Sequence, residues 1–176
     1  LFQLTALDSG MRETAVRYTL KTVLFASEIG ARTVVVHAGN VDMKNLTRQL
    51  LELCDRGEQY NAAYEKTKLK LLMKREDKVQ KHLDSLYRSI DDMLPHLAKL
   101  NVRVAFENLP SWESIPCESE MEAILRRYQS PLVGYWHDIG HGQVRQSLGF
   151  ISYRRWLDKL VAGTFGFHIH DVEAPA

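Results

Sequence analysis

The chain has 176 residues, enough to bury a real hydrophobic core. Its 45% hydrophobic and 26% charged content excludes a disordered or fibrous protein. A net charge of +1 gives no electrostatic footprint for nucleic acid or an anionic membrane, and no apolar run reaches the roughly 18 residues of a membrane helix. Cys54 and Cys117 are too few for a disulfide framework or a thiolate metal site, and they fit a reducing, cytoplasmic setting.

In chain order, "LFQLTAL" reads as a short first strand. After "DSG", Ala15, Tyr18, Thr22, Phe25, Ala26 and Ile29 recur at helical spacing, with Gly30 as the stop. "TVVVHAGN" (33–40) is a β-branched run ended by glycine, hence a buried strand. A long charged helical segment follows over about 41–100, divided into helices over about 43–55 and 61–94. Leu83, Leu86, Ile90, Met93 and Leu97 form the apolar stripe of the second, the lysine-rich run before them its solvated face. Pro95 should kink or restart that helix. "NVRVAFEN" (101–108) reads as a strand, 117–128 as a helix, and "LVGYWHD" (132–138) as a strand. "ISYRRWLDKLV" is the next helix and "TFGFHIHDV" (164–172) the last strand. Strands alternating with helices imply βαβ units and a parallel sheet. The chain opens on Leu1 and stops just beyond an apolar run, so residues 1–176 are expected to be the middle part of one longer domain.

Every strand from the second onward finishes on a residue suited to metal ligation: His37, Glu107, Asp138 and His168, with His141 three residues past Asp138. In parallel α/β folds the carboxyl ends of the strands lie together, and sites are built there. Alternation puts Glu107 on a face with Arg103 and Ala105, and His168 with Gly166 and His170, opposite Phe165, Phe167 and Ile169. Asp138 shares its face with Gly134 and Trp136, so His137 points to the outer layer in a structural role. His82 and His96, on helices, are expected at the surface or at helix ends. Glu, Asp and His together suit Mn, Zn, Mg or Co as a divalent metal, and the lack of thiolates disfavours a structural zinc.

"VVVHAG", "VAFENL", "HDIGH" and "GFHIHD", in this order and at these separations, resemble the xylose-isomerase-like barrels. That superfamily holds sugar and sugar-phosphate isomerases and epimerases together with endonucleases of the endonuclease IV type. The resemblance implies a (β/α)8 TIM barrel, with His37 on about the fourth strand and Glu107, Asp138 and His168 on the fifth to seventh. A typical barrel needs about 250 residues, so the first strands and the eighth are expected outside this chain. The resemblance further implies Glu107, Asp138 and His168 as metal ligands and Glu107 and His141 as catalytic residues. His37, His141 and His170 fall on the substrate-binding side, and Asp171 behind a ligand.

The activity so implied is metal-dependent isomerisation or epimerisation of a small sugar, sugar phosphate or polyol, by proton transfer through a metal-stabilised enediolate. Two alternatives are an endonuclease IV-like zinc-dependent hydrolase of abasic-site DNA and a non-catalytic barrel relative. Near-neutral charge and the absence of a basic cluster in "ENLPSWES" count against DNA, since phosphate neutralisation supplies much of DNA affinity. The expected partner is therefore a small sugar-like molecule, with no nucleic acid and no membrane, and with homo-oligomer assembly left open.

Overall fold

The structure, a computed structural model, describes residues 2–172. Residues 2–8 are turns and irregular chain, not the strand expected of "LFQLTAL". The apolar residues there serve packing instead, with Leu4 buried while its carbonyl accepts from Ser89 Oγ. Asp8 then caps α1 (Ser9–Glu28), its side chain accepting from the Met11 amide. The face that α1 buries is Ala15, Val16, Val23 and Ala26. Tyr18, Phe25 and Ile29 of the expected stripe are exposed. Ala15 and Ala26 of that stripe are buried as expected, and the inward line continues through Val16 and Val23 rather than through the large side chains.

Strand β1 (Thr33–Val36) ends one residue before His37, and a two-residue strand, β2 (Gly39–Asn40), follows. Asn45 caps α2 (Leu46–Asp55) and Asn61 caps α3 (Ala62–Leu100), each by accepting a backbone amide three residues on. Helix α3 runs through Pro95 to Leu100 without the expected restart. An interior proline costs about 3 kcal/mol. Burying Ile90, Met93 and Leu97 on either side of it returns roughly 1.5–3 kcal/mol each, so packing carries the helix past the break. His82, expected at the surface, is buried: Nδ1 donates to the Thr5 carbonyl and Nε2 accepts from the Asp42 amide. One imidazole thereby ties the N-terminal segment and the loop after β2 to α3.

The remaining elements are β3 (Arg103–Glu107), β4 (Ser114–Ile115), α4 (Glu118–Tyr128), β5 (Val133–Asp138), α5 (Ile139–Ser147), α6 (Tyr153–Leu160) and β6 (Thr164–His168). Four strands pair in parallel in the order β1-β3-β5-β6, while β2 and β4 form a small antiparallel pair. The described residues thus make a half-barrel sheet, four parallel strands where a full TIM barrel has eight. Val104, Phe106, Val133 and Tyr135 on its outer face join one core with Leu86, Ile90, Met93 and Leu97 of α3, Ile124 of α4 and Trp156 of α6.

The inner face is lined by small residues that admit aromatic rings. A Cβ on Gly166 would lie 2.3 Å from the Trp136 ring, and one on Gly134 2.4 Å from the Phe165 ring. The pairing of β5 with β6 shifts register between Tyr135 and Trp136, opposite Thr164 and Gly166. That irregularity turns Phe165 inward against Gly134 and beneath the Arg103 guanidinium, 4.2 Å from its ring centroid. Strict alternation predicts Phe165 outward, and a bulge is what breaks alternation.

Candidate metal centre

Parallel pairing puts the carboxyl ends of β1, β3, β5 and β6 on one edge, and with them His37, Glu107, Asp138 and His168. Glu107 and Asp138 are both buried, each 3% exposed. His168 Nδ1 lies 2.8 Å from Glu107 Oε1 and 3.6 Å from Asp138 Oδ2. His37 Nε2 lies 2.7 Å from Glu107 Oε2. One donor atom each from Glu107, Asp138 and His168 falls within 4.8 Å of the others. Two buried carboxylates ringed by imidazoles on one strand edge form a hard N/O donor set that suits a divalent cation. Both cysteines lie outside the cluster, free and buried.

Asp138 is also the N-cap of α5, its Oδ1 accepting the His141 amide at 2.8 Å. This helix was not foreseen, because Gly140 and Gly142 lower its helical propensity. It is anchored by Arg145, fully buried between the rings of Trp112 and Trp156 and donating to the Ser111 carbonyl. His170, on the segment after β6, places Nε2 3.0 Å and 3.1 Å from the two Asp138 oxygens. Burial pushes the Asp138 carboxyl up, but the His141 amide and the imidazoles of His141 and His170 outweigh it and hold it below the usual range. The Asp171 carbonyl and then Asp138 raise the His170 imidazole in turn. The Asp171 side chain makes none of these contacts.

His141 Nδ1 is 2.8 Å from the Asn108 carbonyl oxygen. A carbonyl only accepts, so Nδ1–H is the donor, and in the neutral form of the ring Nε2 is the acceptor. His137 faces the other way, as alternation indicates: Nδ1 meets Tyr135 Oη at 2.7 Å and Nε2 meets Tyr153 Oη at 2.8 Å. Burial lowers its pKa to about 4, so it is neutral at pH 7.

Two further buried polar residues carry no signal in the sequence, one at this edge and one in a neighbouring loop. Asn108 follows Glu107 and is wholly buried. Its Nδ2 donates to the Asp138 carbonyl at 2.9 Å, and its Oδ1 accepts the Asp138 amide at 2.7 Å. Glu113, in the loop after β3, accepts the amides of Leu46 and Thr47 and the hydroxyls of Thr47 and Ser111. It fixes the start of α2 to the loop that leaves β3. A six-residue interval from Glu107 carries no periodic signal, so only the folded loop reveals it.

The chain matches the model of the xylose isomerase-like TIM barrel family over residues 1–176, and it belongs to that family. Similar solved structures include a D-tagatose 3-epimerase-like protein, at 18% identity and a TM-score of 0.67, with 97% of this chain and 52% of that one covered. A 3-keto-D-glucoside 4-epimerase from E. coli aligns at 11% identity and a TM-score of 0.66, covering 96% and 55%. A D-psicose 3-epimerase, solved in the presence of D-fructose, aligns at 12% identity and a TM-score of 0.63, covering 95% and 48%. The chain therefore spans about half the length of these structures, and at such identities the likeness speaks for the fold. No curated protein sequence matches the chain.

Proposed function

We propose that this half-barrel carries the metal-binding part of a sugar isomerase or epimerase site. The observation behind the reading is the convergence of Glu107, Asp138 and His168 on one strand edge, with their donor atoms within 4.8 Å. These three residues would hold a divalent cation, of the class Mn, Zn, Mg or Co. Such a cation polarises a sugar carbonyl and its neighbouring hydroxyl and makes the adjoining C–H more acidic.

The chain's own residues divide the remaining work. Glu107 would act as the base toward the carbon-bound proton, with His37 Nε2, 2.7 Å from Oε2, orienting its carboxylate. His141 keeps Nε2 free as an acceptor, which suits a substrate hydroxyl. His170 lies on the same side and would line the substrate space beside Asp138. The structural relatives, a D-tagatose 3-epimerase-like protein, a D-psicose 3-epimerase and a 3-keto-D-glucoside 4-epimerase, support a small-sugar substrate.

The test is an exchange screen. The protein, supplied with Mn²⁺, is incubated with a panel of ketoses and aldoses in D₂O and followed by NMR. Deuterium entering at one carbon of one sugar, lost in Glu107→Gln, is the expected result. No exchange on any sugar by protein that binds the metal would overturn the reading.

A further inference from the structure

We propose that Asn108 is a positioning residue for this centre, setting the direction of Asp138 and the tautomer of His141 together; the inference rests on the metal-site reading above. The β3–β5 ladder ends at the pair Glu107↔Trp136, so Asp138, still paired with His168 of β6, has passed its last regular pairing with β3. Asn108 continues the ladder with its side chain. Its amide presents one donor and one acceptor, and both meet the backbone of Asp138, at 2.9 Å and 2.7 Å.

A carboxamide of this length can satisfy a carbonyl and an amide at once. Ala offers neither group, Ser lacks the reach, and Asp lacks the donor. Through this clamp Asp138 is held where its Oδ1 caps α5. The first turn of α5 is then held where His141 Nδ1 meets the Asn108 carbonyl at 2.8 Å. One residue, wholly buried and adjacent to Glu107, thereby couples the end of β5, the start of α5 and the ring that faces the substrate side. Residues that orient ligands in this way govern metal affinity without touching the metal.

The test compares the parent chain, Asn108→Ala and Glu113→Gln. Mn²⁺ affinity is read from the free-ion EPR signal, and the His141 tautomer from ¹⁵N shifts of the metal-free protein. Glu113→Gln is a loop-weakening control that leaves the clamp intact. In Asn108→Ala, Mn²⁺ binding is expected to weaken by about 10–100-fold; the variant keeps the main-chain carbonyl that His141 Nδ1 meets, so a loss of the defined Nδ1–H state there would report the clamp's hold on the first turn of α5. Glu113→Gln should lower the melting temperature while keeping both readouts at the parent value. Parent-like Mn²⁺ affinity and tautomer in Asn108→Ala would overturn the clamp, as would equal losses in both variants. A parent that binds no Mn²⁺ removes the metal reading alone, and the tautomer then decides: lost only in Asn108→Ala it supports the clamp, unchanged it overturns it.

Discussion

His168 Nδ1 sits 2.8 Å from Glu107 Oε1 and 3.6 Å from Asp138 Oδ2, so one imidazole on the last strand faces the carboxylates of two others. Two buried carboxylates this close repel unless a positive partner lies between them. The imidazole gives both carboxylates a polar partner, and a divalent cation would supply the neutralising charge. The same geometry makes the site a joint product of β3, β5 and β6, so no single segment of the sequence contains it.

The outward-facing His137 gives a pH prediction. Its folded pKa of about 4 lies below the ordinary value of 6.5, so the unfolded chain binds a proton there that the native chain refuses. Stability is fully present above pH 6.5 and falls as pH drops toward about 4, by roughly 3 kcal/mol from this group. An NMR titration of the His137 ring should show a midpoint well below 6.5. A midpoint at or above 6.5 would contradict the neutral Tyr135–His137–Tyr153 chain.

Arg75 and Glu120 form a bidentate pair, both under 10% exposed, and Arg75 also donates to the Trp112 and Ser114 carbonyls. Arg75→Met leaves the Glu120 carboxylate buried without its cation, and such losses run to about 3–5 kcal/mol. Replacing both, Arg75→Met with Glu120→Leu, should recover much of the loss. Denaturant unfolding checks it: equal stability for the single variant and the parent would show that the pair holds nothing together.

Gly166 is expected to resist substitution because the Trp136 ring fills the place of its Cβ. Gly166→Ala should cost about 1–3 kcal/mol by overpacking. It should also move His168, two residues on, which near-UV circular dichroism of Trp136 and Mn²⁺ affinity would both report. An unchanged melting temperature would mean that the inner face is looser than its geometry indicates.

Much of the fold was legible in the sequence because alternation and β-branched runs mark buried parallel strands. "TVVV", "RVAFE" and "VGYWHD" lie in strands of the sheet, and the stripe from Leu83 to Leu97 is buried as read. Strand-end polarity brought Glu107, Asp138 and His168 into one expectation, and the fold does place them together. Other features lay beyond a periodicity reading. The bulge that turns Phe165 inward depends on how β6 registers against β5. Helix α5 is held by its Asp138 cap and by buried Arg145 despite two glycines. Asn108 and Glu113 act through backbone groups 30 and 67 residues away, contacts with no local pattern to announce them.

The most direct measurement is titration of the purified, metal-stripped chain with Mn²⁺ by calorimetry, repeated on a Glu107→Ala, Asp138→Ala double variant. A single equivalent bound by the parent and none by the variant is the expected result. Binding that survives in the variant, or a parent that takes up no Mn²⁺, Co²⁺ or Zn²⁺ at all, would contradict the assignment of this strand edge as a metal centre.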